Sequence, residues 1–131
     1  MDHLETAVRD EIVALHHLLQ AWFRAEGDDD SGPILARFDP GYTMIGAAGR
    51  VIRLDGFAKA LPTFRGARPG LVMEIHDVQV CHRFDGGVLA LYREVQSQGD
   101  TRNARWSSVL FVTGSDGKTL LWKHLQETFL P

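Results

Sequence analysis

Two trios of residues at strand spacing hold most of the chemistry this sequence offers. Tyr92, Glu94 and Gln96 alternate along one stretch, and Trp122, His124 and Gln126 along another, so each trio shares one face of a β-strand. A carboxylate and an imidazole meeting in a pocket can exchange protons with a small molecule. Glu94 would act as general base or ligand anchor, and His124 as acid, base or hydrogen-bond partner. The plainer alternative is a polar network that only fixes strand register.

Other residues could complete such a site. Arg105, with Ser107 two residues on, can bind an anionic group by charge-assisted contacts, as can Arg93 on the neighbouring strand; all three could instead face solvent or a second copy of the chain. Trp22, Tyr42, Met44 and Phe64 would supply an apolar wall, which in such a fold is also ordinary core. His16 borders the apolar stripe of its helix and can donate a hydrogen bond into the pocket. His16 and His17 point about 100° apart, so they do not form a compact metal site. His76 and His82 lie too far apart along one strand, and Glu26 to Asp30 lacks the alternating oxygen ligands of a calcium loop. No metal and no cofactor is expected. Phosphate loops, nucleophile elbows and Cys–His pairs are missing from the sequence.

The elements that must position these residues are legible from periodicity. Apolar residues at Leu4, Val8, Ile12, Leu15, Leu19 and Trp22 recur at helical steps, with Asp2 as the cap and Glu5 three residues later. Ser31-Gly32-Pro33 opens a short helix burying Ile34, Leu35 and Phe38, stopped by Asp39-Pro40-Gly41. Tyr42 to Ile45 and Arg50 to Arg53 read as a hairpin. Asp55 starts a third helix, which Pro62 should kink or end. Breaks at Asp85-Gly86-Gly87, Gly99-Asp100 and 114–117 then divide the remainder into four long antiparallel strands, 71–84, 88–98, 101–112 and 118–130. The apolar phase slips between Ile75 and Val78, which predicts a bulge at His76-Asp77 that bends the sheet. In the last strand, Leu120, Trp122, His124, Gln126 and Thr128 form one face and Leu121, Lys123, Leu125, Glu127 and Phe129 the other. The polar-aromatic set is the expected pocket floor. Three helices and then a long bent sheet make an α+β domain spanning 1–131.

Bulk properties narrow the partners. The chain has 131 residues and a net charge of −3, so there is no basic field for nucleic acid. No run reaches membrane-spanning length, and the acidic amino terminus does not read as a signal peptide. The single Cys81 excludes an internal disulfide, which makes the cytoplasm the expected compartment.

The segments HHLLQAWF (16–23), RFDPGYTMIGAAGRV (37–51), RPGLVMEIHDVQV (68–80), YREVQ (92–96) and WKHLQETFL (122–130) resemble, in order, the nuclear transport factor 2-like (NTF2-like) superfamily. The small bacterial proteins of DUF4440 and SnoaL-like type are the nearest branch. This resemblance implies a conical α+β barrel with three amino-terminal helices on a strongly curved sheet, a pocket between them, and a homodimer formed through the sheet. It also implies either a cofactor-free acid-base enzyme of isomerase, dehydratase, cyclase or hydrolase type, or a non-catalytic binding or dimerisation module. The base that ketosteroid-isomerase-like members carry before the first turn falls on Gly46 here, which disfavours that mechanism.

Overall fold

The computed structural model describes residues 2–131. Helix α1, His3–Phe23, is capped as its sequence predicts: the Asp2 carboxylate accepts the Glu5 backbone N–H at 2.8 Å. Val8, Ile12, Leu15, His16 and Trp22 form its buried face. Each large aliphatic side chain on that face stabilises the fold by about 1.5–3 kcal/mol. The helix ends at Phe23, and Ala25 and Gly27 just beyond it adopt left-handed conformations.

After the one-turn helix α2, Gly32–Leu35, come β1, Phe38–Ile45, and β2, Val51–Arg53. Phe38 was expected on α2 and instead opens β1, since Asp39-Pro40-Gly41 is a strand irregularity and not a stop. Helix α3, Leu54–Phe64, follows the hairpin, so the three helices are not all amino-terminal. Pro62 sits in its last turn, and the orphaned Leu61 carbonyl there is taken by Trp22 Nε1 at 2.7 Å.

Strands β3, Val72–Phe84, β4, Gly87–Gln98, β5, Thr101–Thr113, and β6, Leu120–Phe129, form the expected antiparallel meander. The anticipated bulge is present. Asp77 has a positive φ, and the β3–β4 register slips between His76 and Gln79. The hairpin joins the meander through a parallel pairing of β1 with β6, which gives the order β2-β1-β6-β5-β4-β3. The result is an α+β fold with helices on a curved six-stranded sheet. Both β2 and β3 remain edges, so the sheet is open and does not close into a barrel.

Besides a further slip in β3 between Val80 and His82, a bulge lies in β6 and was not foreseen. Phe111 stands opposite Trp122, but Leu110 stands opposite His124, leaving Lys123 as the extra residue. Beyond it every side chain changes face. Leu125 and Glu127 join Trp122 on the concave side. His124 and Gln126 turn to the convex side, where Thr43 Oγ1 lies 2.8 Å from His124 Nδ1. The expected sharing of one face by Trp122, His124 and Gln126 is thereby corrected.

Candidate functional site

Between α1 and the concave face of the sheet lies a cavity of about 170 Å³. Leu15, Phe38, Met44, Trp122 and Leu125 give it apolar walls. Trp122 is fixed in turn by Glu11, which accepts from its indole N–H at 3.0 Å and from Arg37 at 2.6 Å. Into this apolar space the sequence places Glu94, which is only 1% exposed. A lone buried carboxylate would be strongly disfavoured. Its two oxygens are accordingly both occupied: Oε1 lies 3.1 Å from His16 Nε2, and Oε2 accepts from Gln96 Nε2 at 2.6 Å.

The network extends in both directions. His16 Nδ1 donates to the Ile12 carbonyl one turn back at 2.7 Å, which fixes the ring on its helix. Gln96 Oε1 accepts from Arg68 Nη1 at 2.6 Å. Burial opposes charge on both members of the central pair. Their mutual attraction and hydrogen bond outweigh it, holding the His16 pKa above and the Glu94 pKa below the ordinary values.

Next to this pair stands Glu127, raised above the usual carboxylate range by burial first and then by the Glu94 charge. Arg105 Nη1 lies 3.6 Å from Glu127 Oε1, an ion pair beyond hydrogen-bond length. The guanidinium lies over the Phe129 ring, and its Nη2 donates to Asn103 at 2.8 Å, while its Nε has no partner. On the same sheet face the Tyr92 and Ser107 hydroxyls are buried without partners. Burial, and then nearby carboxylate charge, pushes both Tyr42 and Tyr92 above the ordinary phenol value, so both remain neutral donors.

The structure therefore brings Glu94, His16, Tyr42, Met44, Gln96, Arg105 and Trp122 to one cavity, with Tyr92 and Ser107 on the face that floors it. Trp22 lies elsewhere, at a cleft near the end of α1 with Arg65 over its ring. His124 and Gln126 are outside the cavity. Arg93 faces away from Arg105 and pairs with Asp77 at 2.8 Å. Glu127 and Arg68 were missed. Strict alternation puts Glu127 on the face opposite Trp122, and only the pairing of β6 with β5 reveals the extra residue at Lys123 that brings it to the cavity. A larger cleft of about 520 Å³ between β2 and α3 is open to solvent, and its charged residues Arg50, Arg53 and Asp55 are all exposed.

Among the described residues, no three His, Cys, Asp or Glu side chains cluster to hold a metal ion, and no helix is long and apolar enough to cross a membrane. No protein-family profile matches the sequence, and no curated protein matches it. Solved structures do. An NTF2-like protein of unknown function from Pseudomonas aeruginosa is 31% identical, with 95% of this chain and 99% of that chain aligned at a TM-score of 0.89. The chain belongs to the NTF2-like family. The NTF2-like fold is shared more distantly with Aln2 from a Streptomyces species, 16% identical over 98% of this chain and 92% of that one, at a TM-score of 0.78. It is shared also with the association domain of C. elegans CaMKII, 16% identical over 97% and 99% at a TM-score of 0.68. Likeness at that identity establishes the NTF2-like architecture and nothing about activity.

Proposed function

We propose that this NTF2-like protein binds a small, partly apolar organic molecule in the cavity between α1 and the sheet, and that the site is equipped for cofactor-free acid-base chemistry. The observation that carries this reading is the convergence of Glu94, His16, Glu127 and Arg105 in one apolar cavity. A structural network needs its polar groups satisfied, yet here Arg105 Nε is left without a partner. Two carboxyl groups whose environments push their pKa values in opposite directions suit a division between a fixed charge and an exchangeable proton. The reactions that fit are those of the SnoaL-like type: isomerisation, dehydration, cyclisation or hydrolysis. Arg105, Gln96 and Tyr42 would orient polar groups, and Met44 and Trp122 would supply apolar contact. His124 lies outside this arrangement. With exposed Cys81 kept reduced, the cytoplasm remains the compartment we favour.

Native mass spectrometry of the purified protein tests the reading. A discrete retained small molecule that is lost in Glu94→Gln supports it. An empty protein that also fails to take up small aromatic probes overturns it.

A second reading is favoured by the convex face, where Leu89, Leu91, Trp106 and Leu110 form an incompletely buried apolar surface. There the protein would form a homodimer through its sheet and act as a binding or dimerisation module without turnover. Gly46, in the turn after β1, leaves that strand without a carboxylate at the position expected of a proton-shuttling base, which agrees with this reading. Sedimentation of wild type against Leu110→Glu decides the dimer: a shift from dimer to monomer is expected, and an unchanged mass would refute it.

A further inference from the structure

The polar end of the cavity is unevenly satisfied. Glu94 takes donors on both oxygens, from His16 and from Gln96. Among the described residues Glu127 accepts no hydrogen bond, and its ion pair with Arg105 spans 3.6 Å. Arg105 commits Nη2 to Asn103 and leaves a buried Nε–H unused. An under-used acceptor and an unused donor thus stand side by side at the edge of an apolar space.

We propose that the cavity takes a small monocarboxylic acid with an apolar body the size of a single ring, its carboxyl group seated between Arg105 and Glu127. This rests on the small-molecule reading above and names the ligand class for it. A carboxyl group is the complement of that pair. One of its oxygens accepts from Arg105, and the other shares a single proton with Glu127. The proton balance is simple: the ligand arrives as carboxylate, one proton is taken from solvent, and the two carboxyl groups hold it together against the guanidinium charge. No covalent bond forms or breaks. Without that proton two ionised carboxylates would face each other in a space from which water is largely excluded.

The groups around Glu127 agree. His16 faces it from α1, Tyr42 from β1, Tyr92 and Glu94 from β4, and Arg105 from β5, while α3 and β3 bring uncharged Phe57 and Met73 to the cavity. Burial and the Glu94 charge already favour the protonated form of Glu127. Size also fits. The volume of about 170 Å³ is close to the about 150 Å³ of an apolar cavity that accepts benzene. A primary amide would match the same donor and acceptor but requires Glu127 ionised, so its binding would change with pH in the opposite direction. An amine would meet the charge of Arg105.

Calorimetric titration with benzoate, benzamide and benzyl alcohol, each at about pH 5.5 and about pH 8, tests the proposal. Benzoate should bind at least about tenfold more tightly at the lower pH, with uptake of a proton revealed by the buffer dependence of the heat. Glu127→Gln should keep benzoate binding and flatten its pH dependence. Arg105→Met should weaken benzoate by more than about tenfold and leave benzyl alcohol unchanged. Benzamide binding as tightly as benzoate, or benzoate binding equally at both pH values, would overturn the carboxylic acid. Benzyl alcohol binding without benzoate also overturns it but leaves the small-molecule reading standing, whereas failure of all three probes removes both. Should either variant fail to fold, the comparison of the three probes on wild-type protein decides alone.

Discussion

His16 Nε2 lies 3.1 Å from Glu94 Oε1, and the other ring nitrogen of His16 donates to the Ile12 carbonyl at 2.7 Å. The carbonyl takes a proton from one ring nitrogen, and the raised His16 and lowered Glu94 pKa values favour a proton on the other as well, so the pair reads as an imidazolium facing a carboxylate. The raised His16 pKa contributes stability that is complete below about pH 6.5 and is lost as pH rises through the folded value. The lowered Glu94 pKa contributes stability that is complete above about pH 4.5 and is lost as pH falls through its folded value. The pair therefore supports the fold most fully between those limits. In Glu94→Gln we expect a loss of about 3–5 kcal/mol at pH 6, as for removal of one partner of a buried ion pair, and disappearance of the decline above about pH 6.5. Urea unfolding at a series of pH values measures both.

Glu127 has the opposite sign to Glu94. A carboxyl whose folded pKa is raised binds a proton more tightly in the folded state, so its contribution is most favourable below about pH 4.5 and is lost as pH rises. Glu127→Gln should remove this part of the pH dependence and leave the variant less sensitive than wild type to a rise from pH 5 to pH 8. Thermal midpoints across that range check it. A steeper decline in the variant would contradict the placement of Glu127 in an unfavourable burial environment.

Trp22 ties α1 to the end of α3 by donating to the Leu61 carbonyl at 2.7 Å. Trp22→Phe preserves most of the buried ring but leaves that carbonyl without its donor. A loss of about 1–3 kcal/mol is expected, with ligand binding at the distant cavity unchanged. Denaturant unfolding, paired with the benzoate titration, separates the two effects.

His124 sits on the convex face beside Thr43 and away from Glu94. His124→Ala should cost about 1 kcal/mol through the lost hydrogen bond and have no effect on cavity binding. A variant folded as well as wild type but unable to bind would place His124 at the site after all. The same titration measures it.

Much of the molecule was legible because its signals are local. The helical period of α1, the strand character of β3 to β6, the glycine-containing turns between the strands, the Asp2 cap and the bulge at His76-Asp77 are each set by neighbouring residues, and each is found in the structure. Glu94, His16, Gln96 and Arg105 were legible as candidates because polar side chains within apolar patterns must find partners wherever they are buried. Which partners they find is a different matter. The Glu94–His16 contact joins residues 78 positions apart, and nothing in either local pattern encodes it.

The face of β6 was decided only by tertiary structure. Along the isolated strand, strict alternation puts His124 beside Trp122. In the sheet, the pairing of Phe111 with Trp122 and of Leu110 with His124 leaves Lys123 over, and the residues beyond exchange sides. Leu125 is buried against the core by that exchange, and Glu127 is carried with it to Arg105. The sequence by itself determined the strands, the helices and a short set of polar candidates. The register between strands, fixed by hydrogen bonds to a neighbour and by the apolar surface each face must cover, decided that Glu127 and His16, and not His124, stand with Glu94.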